Sequence, residues 1–166
     1  PYGALIPAFY GMIANRLMHE TGVTREMMAA VAVNGRYHAS LHPNAHMRKP
    51  ITIEDVLASR PIASPLNLLD CCLISDAGGA LIVTAADRAR DLKSMPIDIL
   101  GYGERHTHEH IMAAPSLTEF GGKRSGAAAY RMADLGPSDI DFAELYDCFT
   151  PVPIIVMAEA GFGSVE

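Results

Sequence analysis

Between Ala80 and Ala160 short apolar runs alternate with helix-like stretches, and turn residues mark the junctions. Ala80-Leu81-Ile82-Val83-Thr84 is continuous enough to read as a buried strand. A polar helix follows over 85–92, and a second strand is predicted from Ile97 to Gly103. Gly121-Gly122 turns the chain into a helix from about Ser125 to Asp134, with Ala128, Ala129 and Met132 inward. Gly136-Pro137-Ser138-Asp139 ends it and launches a third strand, Asp141 to Leu145. A βαβα order of this kind predicts an α/β fold, with helices on the faces of a parallel or mixed sheet.

The third strand runs into Glu144-Leu145-Tyr146-Asp147-Cys148-Phe149-Thr150-Pro151, which sets a phenol, a carboxyl, a thiol and a hydroxyl within five positions. Pro151 then opens an apolar helix, Val152 to Ala160, that stops at Gly161. Open α/β sheets hold their chemistry outside the carboxyl ends of strands, near the positive ends of the following helices. Tyr146, Asp147, Cys148 and Thr150 are therefore candidates for such chemistry as a group. The same eight residues also fit a plain strand exit with one capping group and a buried cysteine.

The first half of the chain reads differently. Pro7 to Glu20 has Phe9, Met12, Ile13 and Leu17 on one face, and Thr21-Gly22 supplies the stop. A second helix is predicted from Arg25 to about Val33, with Thr24 as N-cap. His38, His42 and His46 stand four apart, but Pro43 argues against one unbroken helix through all three, so Asn34 to Pro50 reads as an irregular excursion. Thr52-Ile53-Glu54-Asp55 caps a short helix to about Ser59. Pro61 and Pro65 force an extended crossing into the nearly all-apolar run from Leu66 to Leu73, broken by Asn67 and Asp70. Gly78-Gly79 suits close backbone approach better than phosphate binding, since no lysine or full fingerprint follows.

Composition narrows the function. With 49% hydrophobic and 19% charged residues the chain is that of a folded protein. A formal charge of -6 and scattered basic residues speak against a nucleic-acid partner or an anionic membrane surface. No apolar run approaches the length of a membrane span, and no secretory signal is visible. Three cysteines, two of them adjacent at Cys71-Cys72, make a poor disulfide framework and no zinc site, which predicts reduced thiols and a cytoplasmic location. His106, His108 and His110 alternate as metal ligands on a strand could, yet a polar loop accounts for them equally well, and no metal is expected. The chain starts at Pro1 and stops at Glu166 shortly after a helix, so both ends look cut from something longer.

Two groups of residues carry a family resemblance. The first is Ala29-Ala30-Val31-Ala32-Val33-Asn34, His38-Ala39, Pro43-Asn44-Ala45, Arg48-Lys49-Pro50-Ile51-Thr52 and Asp55-Val56-Leu57, followed by Asp70-Cys71-Cys72 and Ser75-Asp76-Ala77-Gly78-Gly79-Ala80. In order, these resemble the loop domain and return strand of sterol-carrier-protein-type thiolases. The second, Glu144-Leu145-Tyr146-Asp147-Cys148-Phe149, is similar to the motif their relatives carry as Glu-Leu-His-Asp-Cys-Phe, or Asn-Glu-Ala-Phe in the wider family. The resemblance implies part of a layered α-β-α thiolase-like fold. Residues 1–73 would be the loop-domain excursion, 74–95 the returning strand and connecting helix of the first half, and 96–166 the opening of the second half. It also implies coenzyme A as co-substrate, a homodimer of the full-length protein, and a small accessory acyl-CoA-binding protein as a further partner. The family's nucleophilic cysteine, its Gly-His-Pro histidine and its second reactive cysteine would lie outside this chain.

The family default is acyl transfer between a cysteine and coenzyme A, with a carbon–carbon bond made or broken beside the thioester. Tyr146 stands where the family has asparagine or histidine. In this it resembles thiolase-like lyases of steroid side-chain breakdown, which cleave a β-hydroxyacyl-CoA by retro-aldol chemistry with tyrosine as acid/base. A phenol shifted down from its usual value near 10 would serve as base there. Asp147 would orient its neighbours, and Cys148 reads as structural. A third reading is a non-catalytic acyl-CoA or lipid-binding scaffold.

Overall fold

The computed structural model describes residue 3 and residues 5–164. Helix α1 (Ile6–Thr21) has proline in its first turn and ends on Gly22, whose φ of 72° is the left-handed conformation that glycine adopts freely. Ile13, Ala14 and Leu17 are buried on its inner face, whereas Met12, expected on that face, is exposed. Gly11 is a point of close approach: a Cβ there would lie 3.0 Å from the Ser64 carbonyl oxygen and 3.1 Å from that of Ala63. The Asn15 amide secures the contact by donating to the carbonyls of Gly11 (3.0 Å) and Ser64 (3.2 Å).

Helix α2 (Arg25–Leu41) starts as expected, with the Thr24 hydroxyl accepting from the Met27 amide. It runs about two turns beyond the expected end at Val33, through Asn34-Gly35, and stops at His42, just before Pro43. One contact offsets the low helix propensity of Asn and Gly. Arg36 Nη1 donates to the Lys49 carbonyl at 2.9 Å, tying the helix to the returning loop. Gly35 faces the Asp147 carboxylate, and a Cβ there would sit 3.6 Å from Oδ2. Helix α3 (Ile53–Ala58) carries the full capping box of Thr52 and Asp55.

A two-strand antiparallel hairpin follows, β1 (Pro61–Ala63) and β2 (Leu66–Asn67), turning through a cis Ser64–Pro65 bond. A single 3-10 turn, Leu68–Asp70, carries the chain away. Later come the short α4 (Ala86–Ala89), α5 (Gly122–Ala133) and α6 (Pro151–Glu159). The core lies where α1, the start of α2, β2 and residues 148–155 meet, with Leu17, Met28, Leu66, Phe149, Val152 and Ile155 inside.

The three strands expected over 80–84, 97–103 and 141–145 join no ladder among the described residues. Their apolar side chains face solvent, with Ile82 and Ile97 each 92% and Phe142 80% exposed. A strand forms only against a neighbour that accepts its hydrogen bonds, and apolar character alone does not supply one. The segment 97–103 instead lies against α5, where Gly101 and Gly103 bring its backbone onto the Ala129 and Ser125 carbonyls.

The end of α6 holds the start of α5. Glu159 Oε1 accepts from the amides of Phe120 (2.9 Å) and Gly121 (3.1 Å), and Oε2 from that of Gly122 (3.0 Å). These are orphan donors at the positive end of α5, where a carboxylate is favoured.

Candidate active site

Asp70-Cys71-Cys72 and Cys148-Phe149-Thr150 meet as antiparallel segments. Cys71 bridges Phe149, the Cys72 amide donates to the Cys148 carbonyl at 2.9 Å, and the Thr150 amide donates to the Asp70 carbonyl at 3.0 Å. This fragment of sheet brings the two motifs singled out in the sequence into direct contact and sets the direction of everything after Leu145.

Asp70 anchors the junction. It is 2% exposed, yet it sits in an otherwise apolar surrounding. Its Oδ2 accepts from the Asn67 amide (2.8 Å) and from Arg25 Nη2 (3.3 Å), and its Oδ1 from the Thr150 hydroxyl (2.9 Å). A buried carboxylate is tolerated only when it is paired and hydrogen-bonded in this way. Asp70 was legible as an oddity, a charge inside an apolar run, but nothing local showed that its partners come from positions 25 and 150.

Beyond that anchor the chain passes Cys148, which is buried, and reaches Asp147 and Tyr146, which are exposed. Tyr146 is 76% exposed. Asp147 stands between two open grooves. One, of about 640 Å³, is walled by Met27 and Val31 of α2, Leu145, and Pro153 and Met157 of α6. The other, of about 400 Å³, runs between α2 and the 68–73 segment, past Arg36, Met47, Leu69 and Cys72.

The electrostatics differ from the sequence expectation at Tyr146. Its phenol is pushed up from the usual value rather than down, first by the Cys148 sulfur beside it and then by Cys72 and Asp147. Every neighbour that acts on it opposes a phenolate.

Tyr10 of α1 carried no signal in the sequence. It stacks on Phe149 with centroids 4.3 Å apart and planes 19° apart. Burial, followed by Cys148, pushes its phenol up to about 12. Cys71 is half-buried, and burial with the Asp70 carboxylate beside it pushes its thiol up to about 11, which suits a structural role better than a nucleophile's.

The histidines do local work. His42 Nδ1 accepts from the Asn44 amide, His110 Nδ1 from that of Met112, and the His110 ring meets Phe9 edge-on at 5.1 Å. Among the described residues no group of three His, Cys, Asp or Glu side chains is gathered to hold a metal ion.

Comparison with known proteins gives a consistent outcome. Residues 103–165 match the family described as "Thiolase C-terminal domain-like". A steroid side-chain-cleaving aldolase of Thermomonospora curvata is 42% identical over 98% of this chain and 43% of its own length. A 17-hydroxy-3-oxo-4-pregnene-20-carboxyl-CoA lyase of Mycobacterium tuberculosis is 41% identical over 98% of this chain and 44% of its own. Among solved structures, the Ltp2-ChsH2(DUF35) aldolase superposes with a TM-score of 0.88 at 41% identity, covering 99% of this chain and 45% of that one. The chain thus spans less than half the length of the relatives it matches, and the α/β, thiolase-like fold expected from its residues is the one it has.

Proposed function

The chain belongs to the thiolase superfamily, and from that premise we propose that it is part of a retro-aldolase that cleaves a β-hydroxyacyl-CoA, with Tyr146 as the acid. The observation that carries this reading is the exposed phenol of Tyr146, at the motif position where the family pattern has asparagine or histidine. The aldolase and lyase names of relatives at 41–42% identity support it over acyl transfer.

In such a cleavage the β-hydroxyl loses its proton to a base and becomes a carbonyl. The bond between the α- and β-carbons breaks, and its electron pair moves into an enolate of the thioester. That enolate is where negative charge develops, so a donor aimed at it is worth most. Tyr146 provides the donor and the proton that returns the enolate to a thioester. Asp147, beside it and against Gly35, orients the substrate between the two grooves. The base is not among the residues assigned here, and no cysteine nucleophile enters the reaction.

Coenzyme A arrives as part of the substrate. The exposed apolar segments over 80–84, 97–103 and 141–145 are strands of a larger sheet whose neighbours the rest of the protein and a second copy supply. The accessory acyl-CoA-binding partner that the family resemblance implies is supported by the two-part name of the Ltp2-ChsH2(DUF35) aldolase. No helix among the described residues is long and apolar enough to cross a membrane; the cytoplasmic location is supported by the free cysteines alone.

The test is to give the full-length protein a β-hydroxyacyl-CoA with no free coenzyme A and to follow products by mass spectrometry. Retro-aldol cleavage yields a carbonyl compound and a shortened acyl-CoA without a second thiol. A β-ketoacyl-CoA cleaved only when free coenzyme A is added, with the β-hydroxyacyl-CoA left intact, would establish acyl transfer and end the aldolase reading. Binding of both substrates without turnover of either would leave the scaffold role instead.

A further inference from the structure

The short ladder that joins the two motifs sets two cysteines against each other. Cys71 bridges Phe149 in antiparallel register, so one step further along Cys72 stands directly opposite Cys148. The Cys72 amide donates to the Cys148 carbonyl at 2.9 Å, which holds that step of the ladder closed. Residues opposite one another in an antiparallel pair present their side chains on the same face, and in a hydrogen-bonded pair their Cα atoms are about 5.5 Å apart. A disulfide spans about 4.4–6.8 Å between Cα atoms, so two backbones in this register need no rearrangement to be bridged.

The same register excludes the neighbouring thiol. Cys71 is extended, with φ -108° and ψ 142°, so its side chain leaves the strand on the face opposite to that of Cys72. Its sulfur donates to the Asn67 carbonyl at 3.3 Å. Of the two thiols that remain, Cys72 is exposed on the wall of the smaller groove, whereas Cys148 is 5% exposed. An accessible thiol with a sheltered one across from it is the arrangement of a sensing cysteine and its resolving partner. In a reducing compartment a disulfide between them is transient rather than structural.

We propose that Cys72 and Cys148 form a site of reversible oxidation by hydrogen peroxide. The Cys72 sulfur, as thiolate, attacks the peroxide: an S–O bond forms, the O–O bond breaks, and the departing hydroxide takes up a proton and leaves as water. The Cys148 sulfur then attacks the Cys72 sulfenic acid: an S–S bond forms, the S–O bond breaks, and hydroxide leaves with the Cys148 proton as a second water. The two thiols lose two electrons and the peroxide gains them. A dithiol reductant restores both thiols by exchange. The bond ties position 148, two residues after Tyr146, to the 70–72 segment through its side chain. Its effect on turnover rests on the retro-aldolase reading; its formation does not.

The test treats the full-length protein with hydrogen peroxide, caps the remaining thiols with iodoacetamide in denaturant, and maps an unreduced digest by mass spectrometry. A peptide pair joined through Cys72 and Cys148 is expected, formed equally in Cys71→Ser and lost on treatment with dithiothreitol. Cys72 carried to the sulfinic acid with Cys148 capped, either cysteine joined to a different one, or both capped as free thiols would overturn the proposal. Retro-aldol turnover measured in parallel should fall about tenfold on oxidation, as the segment bearing Tyr146 is displaced, and return with dithiothreitol. An equal fall in Cys72→Ser, or a linked pair with unchanged turnover, would overturn the effect on catalysis alone. Absence of turnover before oxidation would remove the retro-aldolase reading, and the peptide map would still decide whether the bond forms.

Discussion

The Thr150 hydroxyl donates a 2.9 Å hydrogen bond to Asp70 Oδ1 across eighty residues of chain. That bond joins the exit of the hairpin to the start of α6 and so fixes where the segment bearing Tyr146 and Asp147 can lie. Because Arg25 and the Asn67 amide share the same carboxylate, three separate stretches depend on one buried charge.

Asp70→Ala should therefore destabilise the full-length protein by about 3–5 kcal/mol, the usual cost of leaving a buried partner uncompensated. Thr150→Val removes one bond and should cost about 1–2 kcal/mol. Chemical denaturation of the two variants checks both; near-equal losses would show that Asp70 is not the shared anchor.

Glu159 satisfies three amides at the start of α5 with one carboxylate. Glu159→Ala should cost about 1–3 kcal/mol, as those donors lose their acceptor. Hydrogen exchange gives the sharper reading. The amides of Phe120, Gly121 and Gly122 should lose protection while those of α1 keep theirs, and unchanged protection would rule out the cap.

Alkaline pH should weaken the fold over a defined window. Cys71 is raised from 9.0 to about 11 and Tyr10 from 10.0 to about 12. Both hold their protons longer when folded, so between these values the unfolded chain binds fewer protons and stability falls as pH rises. The contribution is fully present below pH 9.0 and is lost by about pH 12. Stability measured against pH should bend down within that window, Tyr10→Phe should flatten its upper part, and Cys71→Ala its lower part.

Tyr146→Phe in the full-length protein should lower kcat for the cleavage by about 10²–10⁴-fold, the usual contribution of a positioned proton donor. KM should change little, because the lost interaction strengthens only as charge develops. Steady-state kinetics decide it: a rise in KM with kcat intact would make Tyr146 a binding group instead.

Much of this protein is visible in its residues. Thr24, Thr52-Asp55, Gly22 and Pro151 mark helix ends because capping and stopping are local events, settled within four residues. The kinship carried by Asp70-Cys71-Cys72 and the Tyr146 motif was also legible, since both are contiguous strings. The continuation of α2 through Asn34-Gly35 was not, because the group that ties it down, the Lys49 carbonyl, is remote. The strands at 80–84, 97–103 and 141–145 were read from apolar character, and the described chain shows why that signal is incomplete: pairing belongs to two segments, not one.

The sequence by itself determined the helices, their caps and the family. Each rests on interactions within a turn or on an unbroken string of residues. Only the tertiary structure decided that Asp70 anchors Thr150, that Tyr10 stacks on Phe149, and that charged and polar neighbours push the Tyr146 phenol up. Those are matters of burial and of charges brought together from distant positions, and burial is a property of the packed chain rather than of any residue in it.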